Sequence, residues 1–356
     1  MAAYTTIDNP ELYFQADLYT GNGTNNTAQT FNGDENMQPD MVWIKSRSAA
    51  ENHHIFDSVR GANKRLLTNG TGTEFDDSSN LQSFDSDGFT LGTADGINKN
   101  TATFVCWGWK GGGSASSNSD GDITTSISAS TTAGFSIVSY TSNGSSNQTV
   151  GHGLGAVPHV ILSKNRDSSS SSYNYWTVYH HSNATANDKK LKLNTTDAVS
   201  TTNEWGDTDP TSSVYSLHTS GDGTTNVSSD KIVSYVWTGI QGFSKFSSFV
   251  GNGNADGTFV FCGFRPAYVM IKNSTSGSSH WVIADNKREG YNVDNDPLYP
   301  NLNAAEGATD FMDILSNGFK LRTTGVDFNA SGDTYIYMAF AESPFVNSKG
   351  VPNNAK

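Results

Sequence analysis

Two histidine pairs, His53-His54 and His180-His181, are the side chains in this sequence best suited by type to hold a metal or move a proton. Their spacing argues against chelation. Each pair sits in an apolar run that reads as a strand, where adjacent side chains point to opposite faces, so neither pair closes on one ion. His280 stands alone at the corresponding place further on, which favours a structural or loop role. Three acidic stretches, "FDDSSN" (75–80), "NSDGD" (118–122) and "NVDNDP" (292–297), offer oxygen ligands for calcium. None carries the full calcium loop with its distal glutamate, and turn chemistry accounts for them equally well. No G-x-S-x-G elbow, H-E-x-x-H helix, P-loop or C-x-x-C pair is present, and "GNGNADG" and "GGGS" lack a strand–loop–helix setting. With 35 acidic residues, two carboxylates flanking a sugar are conceivable, but no pair is singled out by spacing or by an aromatic platform. No catalytic residue, metal or cofactor is expected.

Binding is harder to exclude. Trp107, Trp109, Trp176, Trp237 and Trp281 lie in or near strand-like runs and belong to a core. Trp205 differs, because it stands in the polar loop "TTNEWGDTDP", and it is the expected glycan-binding or partner-facing residue. Cys106 and Cys262 lie in apolar runs and read as buried free thiols. The N-x-S/T triplets, such as Asn22-Gly23-Thr24, are expected by chance in so Asn-, Ser- and Thr-rich a chain.

The elements that would position these residues come in triplicate. "NMQPDMVWIKSR" (36–47), "GAVPHVILSKNR" (155–166) and "GFRPAYVMIKNS" (263–274) share a proline, an apolar run, a lysine and a short polar residue. Ahead of them stand "LYTGNGT" (18–24), "SYTSNGS" (139–145) and "FVGNGNA" (249–255). Behind them come "HHIFDSVRG" (53–61), "YWTVYHHS" (175–182) and "HWVIADNK" (280–287), then "SDGFTLGT", "SSVYSLHT" and "SNGFKLRT". Aromatic strands close each set: "ATFVCWGWK", "KIVSYVWTG" and "TYIYMAFAE". Pro39, Pro158 and Pro266 stand 119 and 108 residues apart, far longer than a solenoid repeat and about right for a sandwich domain.

In the first proline-led run, Met41, Trp43 and Lys45 alternate with Val42 and Ile44, as suits a central strand covered on both faces. The proline heads the strand, where its missing N–H costs no ladder bond. The competing reading is a surface Trp–Lys–Arg patch that grips a ligand. Turn signals and aromatic strands at this period give an all-β chain of three tandem antiparallel β-sandwich units, jelly-roll and lectin-like, with no helix beyond a turn or two. The units span 17–112, 134–242 and 246–346. A linker and entry segment (113–133), containing most of "GGGSASSNSDGD" (111–122), separates the first two; 347–356 is a tail. The short aromatic boundary "IQGFSKFSS" implies that the second and third units pack together.

Composition bounds the function. Hydrophobic residues are 35% and charged residues 16%, and the 19 Phe, 14 Tyr and 7 Trp argue against disorder. A net charge of −13 repels phosphate backbones and anionic lipid, so neither nucleic acid nor membrane insertion is expected. No run of about 18 apolar residues spans a bilayer, and "MAAYTTIDNPELYFQ" lacks the basic start and apolar core of a signal peptide. Residues 1–16 lie outside the repeat as an N-terminal arm with Tyr4, Ile7, Leu12, Tyr13 and Phe14. Tyr13 and Phe14 are the expected partner-binding anchors, docking on another subunit or another protein of the same assembly by strand addition, with a homotrimer the expected state. "ELYFQ" reads as native sequence rather than a protease-site scar.

The ordered set "LYTGNG", "QPDMVWIKSR", "FDSVRGANKRL", "SFDSDGFTLGT", "FSKFSSFVGNGNADGTFVF" and "SNGFKLRT…TYIYMAFAESPF" resembles a repeat domain of virion structural, tail-fibre-like proteins of marine tailed bacteriophages. The likeness covers nearly the whole chain after residue 17. It implies concanavalin-like sandwich repeats, a place on the virion, and other virion proteins with a host surface glycan as partners. It supplies no catalytic residues. The second unit departs most, with "HHSNATANDKK" for "FDSVRGANKR", so a shared role for Arg60 and Arg65 fails there. The function expected is a non-catalytic tail fibre or tail-associated adhesin; a capsid decoration or head-fibre protein and a glycan-degrading tail enzyme are the alternatives.

Overall fold

The structure is a computed structural model that describes residues 3–167, 174–219, 224–288, 292 and 296–353. It is all-β, as the sequence predicts. Helix among these residues is limited to one turn at Asp95–Asn98 and two 3-10 turns, Pro10–Leu12 and Ala186–Asp188. Among the described residues the ladders between strands are antiparallel, in sheets of six, eight, four, three, three and two strands.

The three large sheets share one order. In the six-stranded sheet Phe14–Thr20 pairs with Thr103–Trp109, which pairs with the proline-led Met41–Ser46, then His54–Asp57. The eight-stranded sheet repeats this with Phe135–Thr141, Lys231–Trp237, Val160–Asn165 and Trp176–His180. The four-stranded sheet has Ser244–Val250, Thr334–Pro344, Phe264–Asn273 and Trp281–Asp285. Each large sheet has a small one beside it in sequence, built from the strand after the glycine turn and the strand after the second turn signal: Thr27–Gln29 with Phe89–Leu91, Gln148–Gly151 with Val214–Leu217, and Phe259–Phe261 with Gly318–Leu321.

Alternation decides what each face covers. Met41 and Trp43 fall in a core cluster that also holds Leu162, Tyr235 and Trp237 from the eight-stranded sheet and Tyr268, Met270 and Phe340 from the four-stranded one. Val42 and Ile44, on the opposite face, share a cluster with Phe31 and with Phe89 and Leu91 of the adjoining small sheet. The three large sheets therefore bury one face against each other, and two-sided apolar strands are the result. Ring contacts cross from sheet to sheet: Phe14 stacks on Phe340 at 5.2 Å, Trp107 meets Tyr268 edge-on at 5.5 Å, and Trp109 meets Trp237 at 6.4 Å. Met41, Leu162, Trp237, Met270 and Met338 line a void of only ≈ 10 Å³, so the centre is close-packed.

The glycine turn after each first strand is held by one buried asparagine. Asn98 Nδ2 donates to Thr24 O and Gly92 O, while its Oδ1 accepts Asn22 N–H at 3.0 Å. Asn226 Nδ2 donates to Ser145 O and its Oδ1 accepts Gly144 N–H; Asn329 serves Asn254 and Asn252 in the same way. Gly23, Gly144 and Gly253 have φ of +68°, +68° and +63°, a conformation costly for other residues.

The segment read as a linker is sheet. Ser116–Asn118 pairs with Thr125–Ser130, which extends the eight-stranded sheet beyond Phe135–Thr141. Ser128 Oγ accepts Gly112 N–H at 2.9 Å, so hydroxyls anchor this glycine-rich run.

Candidate functional site at the seams between the large sheets

The residues expected to face a partner do not. Phe14 is 2% exposed and begins the first strand, its ring in the central core. Tyr13 is half-buried, edge-on to Phe243 at 6.0 Å. The arm before them lies on the chain itself: Tyr4 OH donates to Gly263 O, Thr5 Oγ1 to Gln241 O, and Asp8 accepts the Ser348 N–H. Ile7 of the arm is buried in the same central core.

Trp205 is 1% exposed. Its indole N–H donates to Lys189 O at 3.0 Å and its ring meets Tyr179 and Tyr215 edge-on. The loop reads as too polar to bury a ring, but Glu204 beside it is buried as well, while Asp207, Thr208 and Asp209 take the solvent. Glu204 is enclosed and bonded to Lys190 Nζ at 2.9 Å, with Thr224 as a further donor. The Trp–Lys–Arg patch is likewise not a surface. Trp43 and Lys45 are buried, and Lys45, Lys164 and Lys272 repeat one position of the proline-led strand. Their amines donate to carbonyls: Lys45 to Ser46 O, Lys164 to Asn165 O, Lys272 to Ser279 O and Thr196 O. Burial lowers their pKa values to about 8, about 7 and about 8.

The acidic loops hold neighbouring chain where they are described. Asp77 accepts Ser79 N–H, and Asp122 accepts both Thr149 N–H and Thr149 Oγ1–H. Part of "NVDNDP" (293–295) lies outside the described residues. Among the described residues no group of three His, Cys, Asp or Glu side chains converges as metal ligands, and no helix is long and apolar enough to cross a membrane. Cys106 and Cys262 are buried free thiols whose pKa burial raises.

Charge is concentrated where the large sheets meet. Between the six- and eight-stranded sheets, Arg60 binds Asp57 at 2.5 Å and Glu74 at 3.0 Å, and Arg166 grips Glu74 through Nε and Nη2, both at 2.8 Å. Tyr235 OH closes the group by donating to Asp57 at 2.7 Å. Between the four- and six-stranded sheets, Arg288 binds Asp285 at 2.7 Å and Glu306 at 2.8 Å, Arg47 grips Glu306, and Trp107 N–H donates to Asp285. Backbone joins in, with Glu74 N–H donating to Arg166 O and Glu306 N–H to Arg47 O. Burial alone would lower the Arg60 pKa, but Asp57, Tyr235 and Glu74 hold it above its usual value. Burial likewise opposes the Glu74 charge, and Arg166 and Arg60 outweigh it, leaving its pKa lowered.

The seam between the eight- and four-stranded sheets uses histidine instead. His180 Nε2 donates to Tyr337 O at 3.1 Å while its Nδ1 accepts Ser182 N–H, which fixes the neutral ring. His181 donates to Phe246 O at 2.8 Å and stacks on His159 at 4.2 Å. Burial lowers the pKa of His180 to about 3 and of His159 to about 4.

Sequence reasoning finds the strands that carry these groups and misses the groups themselves. The available signal is the Asp-x-x-Arg shared by "FDSVRG" and "ADNKRE", which places Arg60 and Arg288 three residues after Asp57 and Asp285. Glu74 and Glu306 lie in loops with no common motif, so only the fold pairs them.

No curated protein and no solved structure matches the chain. One family, described as a domain of unknown function (DUF7483), matches residues 9–344, a span that takes in all three large sheets. Since that match covers far more than half of the sequence, the chain belongs to the DUF7483 family.

Proposed function

We propose that this protein is a non-catalytic structural component of a tailed bacteriophage particle, of the tail-fibre or tail-associated adhesin type, that contacts the host surface. The observation that carries the non-catalytic part is the commitment of its buried charge. The Arg–Glu–Arg groups are enclosed, doubly paired and directed at joining sheets, whereas acid–base catalysis needs a group open to substrate and poised near working pH. The resemblance of the repeats to virion tail-fibre-like proteins supports the location. Tight cohesion of three sheets around one core suits a part that must resist mechanical load outside a cell. The trimer expectation rests on free aromatic anchors in the arm, and those anchors are used within the chain.

Incubation of the purified protein with host envelope polysaccharide, read by chain length, tests the first part. Binding without shortening is expected. The crevice of ≈ 180 Å³ beside Glu11 and Glu342 is where carboxylates and open space coincide, although Glu11 accepts Asp34 N–H and Glu342 pairs with Arg265. Cleavage abolished by Glu11→Gln or Glu342→Gln would make the protein an enzyme. Antibody labelling of intact particles by electron microscopy tests the location: label on the tail is expected, and label on the capsid would reassign it as a decoration protein.

A further inference from the structure

The third seam is not a plain copy of the other two with its charges exchanged. Val199 N–H donates to Ser274 O at 2.9 Å, the same backbone bond that Glu74 makes to Arg166 and Glu306 to Arg47. Ser274 follows the buried Lys272 by two places, as Arg47 follows Lys45 and Arg166 follows Lys164. Asn183 follows His180 by three, as Arg60 follows Asp57 and Arg288 follows Asp285. His180, Asp57 and Asp285 themselves hold one register position, against Val160, Met41 and Tyr268. The Arg–Glu–Arg group of each other seam is thus Asn183–Val199–Ser274 here. Three long, charged side chains have been replaced by short, uncharged ones.

Space results. A crevice of ≈ 360 Å³, lined by Asn183, Val199 and Ser274 among others, opens where the guanidinium and carboxylate groups would sit. Asn183 lines the crevice at 8% exposure and its buried Nδ2 has no hydrogen-bond partner, so the amide is a donor that a turn of the side chain would bring to a ligand acceptor. Thr275 adds a hydroxyl that accepts Thr334 N–H and keeps its own proton to donate. Val199 and Ala198 supply an apolar patch, and the nearby Lys189 is already paired with Asp188.

We infer that this crevice is a binding site for a neutral hexopyranose unit. An amide and hydroxyls that donate and accept match sugar hydroxyls, the apolar patch suits the C–H face of a pyranose ring, and the volume lies in the range of small-molecule sites. A paired lysine leaves no net charge to favour an anionic ligand. The assignment rests on the host-contact reading for its biological setting and on the seam geometry for its chemistry.

The test is a ¹H–¹⁵N titration of the full chain with methyl glycosides of glucose, galactose and mannose, and with N-acetylglucosamine. At least one is expected to shift the amides of Ser182–Ala184, Ala198–Val199 and Ser274–Thr275. Asn183→Ala should weaken that binding about tenfold, the loss of one or two hydrogen bonds. Refilling the crevice with Asn183→Arg, Val199→Glu and Ser274→Arg together should abolish it; if that variant fails to fold, the alanine variant decides. No shift with any of the sugars, shifts confined to other surfaces, or unchanged affinity in Asn183→Ala overturns the inference. A chain found on tails with a silent crevice sinks this inference alone, and a sugar-binding crevice on a chain absent from particles sinks the location alone.

Discussion

Glu74 shows what one side chain does in this fold. Its two oxygens serve Arg60 from its own sheet and Arg166 from the next, and its side chain is 13% exposed. Replacing a buried ion pair by apolar groups is often harmless, but removing one partner leaves the other charge buried without a counter-charge. Glu74→Ala would leave Arg166 without a carboxylate and take one of two from the wholly buried Arg60, which keeps Asp57. Equilibrium denaturation should show a loss of roughly 2–4 kcal/mol, below the roughly 3–5 kcal/mol for breaking a fully buried pair, because Arg60 keeps Asp57 and Glu74 keeps some contact with water. Asp256→Ala, which breaks an ion pair whose carboxylate side chain is 78% exposed, is the control and should leave stability unchanged. Equal effects from the two variants would show that the seam charges contribute no more than surface charges. At this scale the sequence misleads in a definite way. Trp205 and Glu204 stand in a run with the composition of a solvated loop, and both are buried because each meets its own partners inside: Tyr179 and Tyr215 for the ring, Lys190 for the charge.

Elements are far more legible than residues. Period-two alternation in "MVWIK", "VILSK" and "YVMIK" correctly announces strands covered on both faces, since both faces are in fact apolar. The turn signals "GNG" and "SNG" are legible too, because positive φ at Gly23, Gly144 and Gly253 selects glycine and the Asn before each caps the turn through Oδ1. What alternation cannot state is which surface a face meets, so the shared core of three sheets stays hidden. The N-terminal arm is misread on that account. Aromatic anchors outside a repeat fit docking on a neighbour as well as docking on the chain's own far end, and Gly263, Gln241 and Ser348 are more than 230 residues away in sequence. Deleting residues 3–9 leaves the first strand whole and removes Ile7 together with the Tyr4 and Thr5 bonds. The expected cost is about 2–5 kcal/mol, mostly for the core void. Hydrogen exchange should quicken around Gln241 and Gly263 in the shortened chain. An unchanged denaturation midpoint would mean that the arm docks elsewhere in solution.

Over the whole molecule, the buried bases set an unusual pH dependence. His54 and His180 have folded pKa values of about 3, against an ordinary value of 6.5, and His53 is also lowered, each chiefly by burial. Between about 3 and 6.5 the unfolded chain binds protons that these rings refuse, so stability falls as pH falls, by about 1.4 kcal/mol per unit for each such ring. The same sign holds for the lysines. Lys45, Lys164 and Lys272 titrate near 7 to 8 in the fold and at 10.5 when free, so stability rises as pH climbs from about 7 towards 10. Buried tyrosines end the rise. Burial raises Tyr179 and Tyr335 to about 12, so above about 10 the unfolded chain loses protons first and stability drops. Maximum stability should therefore lie between about 8 and 10, above the usual range of about 5 to 8. Denaturation midpoints from about pH 4 to 11 at constant ionic strength measure this directly. Lys164→Met should flatten the alkaline limb, because it removes the amine that burial disfavours most. A maximum between about pH 5 and 7, or a limb unaltered by that substitution, would show that these amines reach water or a counter-charge in the folded protein.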